Sequence, residues 1–359
     1  VIYGVIMAGG RGERFWPLSS ESRPKQLLPI TSKRNMLQVT IDRIEDFIPI
    51  ERTLIVAGTN IKDAIVEKCE RVTAANVLTE PFGRNTCLAV AYAAIHLHQK
   101  DPEATMVVLS ADHLIEPASK LVKIIKVGTG LAAKEDKLIT IGIVPTRAET
   151  GYGYIELEDE YRVVEDVSVY TVSAFKEKPR PTVAQQYYYD GRHLWNSGMF
   201  IWSVKTILKA LEEHMPEMHE ALTEYAKHIG TDGEEEARDH LYSEAEAVSI
   251  DVAVMEQADN VLTIKGDFVW DDVGSWMSLQ RFMEQDEENN VVVGSAVTLN
   301  TFESTIYNDS EGLVAALGIS DVVIARAGEV VMVAHKTQLD QIKDLLAKLA
   351  EDEELKKFL

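Results

Sequence analysis

Apolar and β-branched residues fill Val1 to Ala8 with no charged break, the pattern of a strand buried on both faces. The next segment changes period: Leu37, Ile41, Ile44 and Phe47 recur at helical spacing within 35–47. The alternation then repeats. Thr53 to Ala57 reads as a strand, 60–69 as a helix and Asn76 to Leu78 as a strand. The alanine-rich run 85–99 reads as a buried helix, followed by the apolar strand Thr105 to Leu109, a helix over 119–133 and the strand Leu138 to Ile143. Strand and helix in strict alternation predict an α/β domain whose mostly parallel sheet is covered on both faces.

From Gly151 the pattern shifts. Gly151 to Ile155, Val163 to Val167 and Val172 to Lys176 read as strands with no long helix between them, which predicts a β-rich insertion. Helices are expected over 181–189 and 203–212, and the carboxylates of 225–247 read as a solvated helical face. The segment 274–283 should close the large domain. The polar stretch Asp286 to Asn290 then breaks the chain, giving expected domains of 1–285 and 286–359. Beyond it, short β-prone pieces bounded by Gly, Asn and Asp lead to an amphipathic helix over 337–349. A small all-β unit with a terminal helix is expected to pack on the large domain or on a second subunit, the latter making a homodimer.

Composition narrows the candidate chemistry. A formal charge of −22 over 359 residues disfavours nucleic acid and acidic membrane surfaces as partners. Against that background a basic loop stands out. The first strand ends in Gly9-Gly10-Arg11-Gly12-Glu13-Arg14, followed by Arg23-Pro24-Lys25-Gln26. Glycines after a strand present backbone N–H groups at a sheet's carboxyl edge, where anions are held. The bases Arg11, Arg14, Arg23 and Lys25 would supply charge that only an arriving anion neutralises. Neither common phosphate fingerprint fits. No GxxxxGK string followed by Ser or Thr occurs, and Glu13-Arg14 is followed by Phe15-Trp16-Pro17 in place of the third dinucleotide-binding glycine. The two cysteines, Cys69 and Cys87, are expected as reduced thiols, and no apolar run reaches membrane-spanning length, so a cytoplasmic location is expected.

The longer string GGRGER, Pro17-Leu18 and Pro24-Lys25 resembles the sugar-nucleotide pyrophosphorylases, which join a nucleoside triphosphate to a sugar 1-phosphate. Phe15-Trp16 before the proline, with Arg23 and Gln26 around Pro-Lys, is similar to the branch using GTP and mannose 1-phosphate. The resemblance implies a Rossmann-like, mixed but mostly parallel sheet of GT-A-like nucleotidyltransferase type, with a small carboxy-terminal β domain. It covers 1–283 well and the tail more loosely. The chain's end at Leu359 leaves no room for the isomerase domain of longer relatives, so a single activity is expected.

On this resemblance, Arg14 would handle the leaving β- and γ-phosphates and Lys25 the reacting ones. Ala8, Gly9, Gly10 and Gly12 would cradle the nucleotide, and Glu80, Arg84, Asn85 and Thr86 of the EPFGRNT string would line its base and ribose. A helix-capping turn is the competing reading of that string. Asp112, just past a central strand, is placed either to cap the next element or to hold Mg²⁺. The resemblance pairs it with Asp272 as the metal ligands, leaving Asp271 as a neighbour. Two such carboxylates repel unless a cation sits between them. Gly153, Glu177, Lys178 and Asn196 would bind the sugar phosphate, while Trp195, Phe200 and Trp202 read as core. Three alternatives accompany this reading: another triphosphate and hexose pair, a non-catalytic nucleotide-sugar-sensing subunit, and an NAD-dependent dehydrogenase disfavoured by the missing glycine.

Overall fold

The computed structural model describes every residue except Arg11, and the chain forms two compact units. The first comprises Val1–Gly9, Gln38–Ala111 and Ile115–Trp270. Its nine-stranded sheet contains β1 (Ile2–Met7), β2 (Thr53–Gly58), β3 (Val77–Glu80), β4 (Thr105–Ser110), β5 (Leu138–Ile143), β6 (Tyr154–Val164), β7 (Val167–Lys176), β8 (His193–Ser203) and β9 (Val261–Gly266). The spatial order is β3-β2-β1-β4-β8-β5-β9-β7-β6, with an extra pairing of β6 to β8. Only β7 and β8 run against the others, so the sheet is mixed but mostly parallel.

Alternation of apolar strands and helices dictates this arrangement, because strands buried on both faces need helices above and below. The helix Asn85–Lys100 is buried along most of its length, and its alanines allow close packing with Val204–His214 and Pro216–Ala226. The β-rich stretch after Gly151 joins the main sheet, and the strand expected over Val163 to Val167 is broken by a turn. Its strands β6 and β7 extend the main sheet as a hairpin turned at Glu165-Asp166, both at positive φ. Paired positive φ values suit the right-handed twist of hairpin strands.

The second unit comprises Gly10–Leu37, Asp112–Leu114 and Asp271–Leu359. Its core gathers Phe15, Trp16, Leu28 and Ile30 with Trp276, Val291, Tyr307, Val323 and Ile342. The glycine-rich loop therefore shares one apolar core with the carboxy-terminal strands. Those strands stack mainly in parallel: Val291–Val293, Thr305–Asn308 and Val322–Ala327 in one ladder, Ala296–Leu299 and Val314–Leu317 in another. Buried Asn290 and Asn308 satisfy the corners. Asn290 Nδ2 donates to Thr301 O at 2.7 Å, and Asn308 Nδ2 to Gly312 O at 2.8 Å. At Gly294, φ +79°, a Cβ would lie 2.0 Å from Asn308 O, so only glycine fits. The terminal helix Ile342–Glu351 places Ile342 in the same core, with Leu346 and Leu349 packed against it.

Candidate functional site

Within the second unit, the basic loop wraps around a buried lysine. Gly12 adopts φ +64°, and a Cβ there would stand 2.5 Å from Lys25 Cβ, so the glycine is what lets the two loop segments touch. Gly12 O accepts from Ser19 Oγ at 2.7 Å, and Phe15 and Trp16 turn inward beneath it. Trp276 Nε1 donates to Trp16 O at 3.2 Å, which ties this turn to the segment carrying Asp272. Lys25 is 5% exposed. Its ammonium donates to Asp112 Oδ2 at 2.6 Å and to Asp272 O at 3.0 Å. Lys25 thus neutralises Asp112 directly, whereas at Asp272 it meets the backbone carbonyl and not the carboxylate. Burial works against ionisation of Asp112, but the charges of Lys25 and His113 outweigh it and hold the carboxyl below its usual range.

Arg14, Lys25, Asp112 and Asp272 meet around one cavity of about 420 Å³, with Glu13, His113 and Lys343 also in its wall. Arg14 is exposed and makes no ion pair among the described residues. Arg23 does not belong to this group of available charges: it pairs with Asp309 at 2.6 Å, which corrects the expectation of four bases awaiting an anion. Arg11, another of those bases, lies outside the described residues. Asp271 differs from its neighbour in burial and in how closely Arg281 holds it, the same guanidinium standing 3.7 Å from Asp272 Oδ1. It is 4% exposed, bound by Arg281 through two donors, and accepts from Val273 N at 2.8 Å. Asp272 keeps about a third of its side chain open (32%), as does Asp112 (34%).

Among the described residues no group of three or more His, Cys, Asp or Glu is placed as a metal cluster. The two open carboxylates are nevertheless the donor chemistry of a Mg²⁺ site. That hard cation takes one or two protein carboxylates and fills its remaining positions with water and phosphate oxygens. Lys25 at Asp112 and Arg281, 3.7 Å from Asp272, already offset part of the carboxylates' charge, so such a cation would bind chiefly together with phosphate oxygens.

The other sequence-predicted residues lie in the first unit as two groups. In the first group, Ala8 N bonds to Val56 O, and a Cβ on Gly9 would come within 3.5 Å of Glu80 Oε2. Glu80 sits at the end of β3 and accepts from Tyr242 OH at 3.2 Å. Burial raises its pKa to about 7, with the tyrosine hydrogen bond opposing the shift. Arg84 donates to Tyr242 O and Ser243 O at 2.8 and 3.1 Å, and Thr86 Oγ1 accepts from Ile250 N at 2.9 Å. These two side chains tie the EPFGRNT loop to the helical layer. Asn85, at φ +65°, accepts from Thr86 N and stays exposed.

In the second group, Gly153 just before β6 and Glu177 just after β7 converge on Asn196 within β8. A Cβ on Gly153 would lie 2.9 Å from Glu177 Oε2 and 3.6 Å from Asn196 Cβ. Lys178 lies at φ +38° and pairs with Glu177 at 3.2 Å. Trp195, Phe200 and Trp202 are buried. Asp251 joins this group although sequence reasoning missed it. It opens a π turn, Asp251–Met255, and accepts from Asn196 Nδ2 at 2.7 Å. Burial raises its pKa, Asn196 opposes that, and Glu177 adds to it. The available signal was a carboxylate inside the apolar run VSIDVAVM.

Comparison with known proteins places these groups in context. A family model described as nucleotidyl transferase matches residues 3–289. A model described as the MannoseP isomerase/GMP-like beta-helix domain matches residues 294–349. The chain is 34% identical over 357 residues to mannose-1-phosphate guanylyltransferase 2 of Escherichia coli O157:H7, covering 97% of this chain and 73% of that protein. It is 32% identical to a mannose-1-phosphate guanylyltransferase of Escherichia coli K12, covering 98% and 74%. A crystal structure from Thermus thermophilus, described as a mannose-1-phosphate geranyltransferase, superposes with a TM-score of 0.86 at 34% identity. That match covers 97% of this chain and 99% of the other.

Proposed function

The chain belongs to the mannose-1-phosphate guanylyltransferase/sugar-nucleotide pyrophosphorylase family, and from that premise we propose that it converts GTP and α-D-mannose 1-phosphate to GDP-mannose and pyrophosphate. Its family's activity is nucleotidyl transfer between a nucleoside triphosphate and a hexose 1-phosphate. The choice of GTP and mannose is supported by the named relatives and by the EPFGRNT loop. The observation that carries the mechanism is the buried Lys25, bonded to both aspartate-bearing segments at the rim of a cavity that also holds Arg14.

In the proposed reaction a phosphate oxygen of mannose 1-phosphate attacks the α-phosphorus of GTP. A new P–O bond forms as the bond to the β-phosphate oxygen breaks, and the electron pair leaves with pyrophosphate. The attacking oxygen is already anionic near neutral pH, so charge stabilisation and alignment replace a general base. Lys25 is held rigidly by its two acceptors and supplies a fixed positive charge. Arg14, with no competing carboxylate among the described residues, is available to fork onto the leaving phosphates. Asp112 and Asp272 would hold Mg²⁺, which when bound would neutralise phosphate charge and help orient the triphosphate. Glu177, Lys178 and Asn196 would take the sugar phosphate, with Asp251 orienting the Asn196 amide. The division into a catalytic portion, 1–285, and a β-rich portion, 286–359, belongs to the same reading. So does a cytoplasmic location, with which the buried free thiols Cys69 and Cys87 are compatible. Among the described residues no helix is long and apolar enough to cross a membrane.

A pyrophosphate-release assay over four nucleoside triphosphates and several hexose 1-phosphates tests the substrate assignment. The proposal expects the highest kcat/KM for GTP with mannose 1-phosphate. Release confined to other pairings would overturn it.

A further inference from the structure

We propose that Lys343, on the terminal helix, is a third cation of the phosphate site and binds the pyrophosphate portion of the nucleotide. The inference deepens the reading above and rests on it for the identity of the anion.

Position is the first observation. Lys343 lines the same cavity as Arg14, Lys25, Asp112 and Asp272. It also borders an adjoining cavity of about 300 Å³ whose wall includes Trp16, Ser19, Ala347 and Ala350 together with the carboxylates Glu13 and Glu21. The helix that carries it is fixed on one side: Ile342 is 4% exposed, and Leu346 and Leu349 pack against the cluster containing Phe15 and Trp16. Those residues follow the i, i+4, i+7 spacing of one helix face. Lys343 lies one residue around, on the ridge it shares with Ala347 and Ala350, whose small side chains leave the space beside it open. The loop that carries Arg14 therefore provides the apolar platform that holds Lys343 in place.

Charge is the second observation. Lys25 is largely committed to Asp112 at 2.6 Å. Among the described residues neither Arg14 nor Lys343 makes an ion pair. They are the two cations of the cavity still available to an incoming anion, in a protein whose formal charge is −22. Magnesium-bound pyrophosphate remains anionic, and a lysine on a flexible stem suits a leaving group that moves away as its bond breaks. Sequence reasoning saw only an amphipathic helix here, because nothing local relates position 343 to position 14.

Isothermal titration of pyrophosphate in the presence of Mg²⁺ tests this without turnover. A charge-assisted contact predicts that Lys343→Ala weakens binding about tenfold or more, and that Lys343→Arg restores most of it. Lys348→Ala, on the same helix but bordering neither cavity, should bind as the wild type does. Lys343→Gln provides a second neutral variant, with circular dichroism reporting whether each variant folds. Equal affinity in wild type and both neutral variants, or no pyrophosphate binding by the wild type, would overturn the inference. A wild type that binds pyrophosphate through Lys343 yet makes no GDP-mannose would instead refute the substrate reading and leave this contact standing.

Discussion

Replacing Glu80 with glutamine should change how the protein's stability responds to pH. Glu80 is 6% exposed at the end of β3, and its single described side-chain hydrogen bond comes from Tyr242 OH at 3.2 Å. Burial moves its pKa from 4.5 in the unfolded chain to about 7 in the folded one. Between those values the folded state keeps a proton that the unfolded state has lost. Stability therefore falls as pH rises through the window, and the loss is complete above about 7. At 1.36 kcal/mol per pKa unit the full effect is roughly 3 kcal/mol. That is a sizeable part of the 5–15 kcal/mol typical of a folded domain. Glutamine keeps the shape and can still accept from Tyr242, but cannot ionise. Thermal melts of ligand-free wild type and Glu80→Gln from pH 5 to 8 should diverge, with the variant gaining roughly 4 °C relative to wild type for a chain of this size. The difference between the two proteins removes the contribution of other titrating groups. Parallel curves across this range would refute the claim that Glu80 is buried with a raised pKa.

The neighbouring aspartates should separate by phenotype. Asp112→Asn and Asp272→Asn should raise the Mg²⁺ concentration giving half-maximal activity by about tenfold or more, and unchanged Mg²⁺ titrations would dismiss them as ligands. Asp271→Asn should instead lower the melting temperature, because it weakens the Arg281 ion pair, while the Mg²⁺ titration stays in place.

Much of the fold was legible because its signals are local. β1, β5 and the helix Asn85–Lys100 follow from apolar runs and helical spacing alone. The helix Pro216–Ala226 went unread although Pro216 at its first turn is a start signal. β8 and β9 were missed for a different reason. Their apolar runs, LWNSGMFIW and VLTI, carry no alternation, so only pairing within the sheet defines them. The hairpin at Glu165-Asp166 offered no glycine or asparagine to announce its turn.

The site divided along the same line. The basic string pointed to Arg14 and Lys25, the family resemblance added the pairing of Asp112 with Asp272, and the structure gathers all four around one cavity. What those residues bind to in the folded chain was not legible. Arg23 meets Asp309, Asn196 meets Asp251, and Lys343 reaches the loop cavity across hundreds of positions. Many of the apolar residues clustered with Phe15 and Trp16 lie beyond position 270, so the shared core of the glycine-rich loop and the carboxy-terminal strands left no trace in either segment alone.

Lys25 offers the most direct test of the account. Phosphorus NMR of GTP, mannose 1-phosphate and Mg²⁺ with wild type and Lys25→Ala, both shown to be folded by circular dichroism, reads the transfer itself. GDP-mannose and pyrophosphate signals should grow together with wild type, and at a rate at least about a hundredfold lower with the variant, on the order of the loss of one transition-state charge contact. GDP-mannose formed at similar rates by both proteins would contradict the central claim.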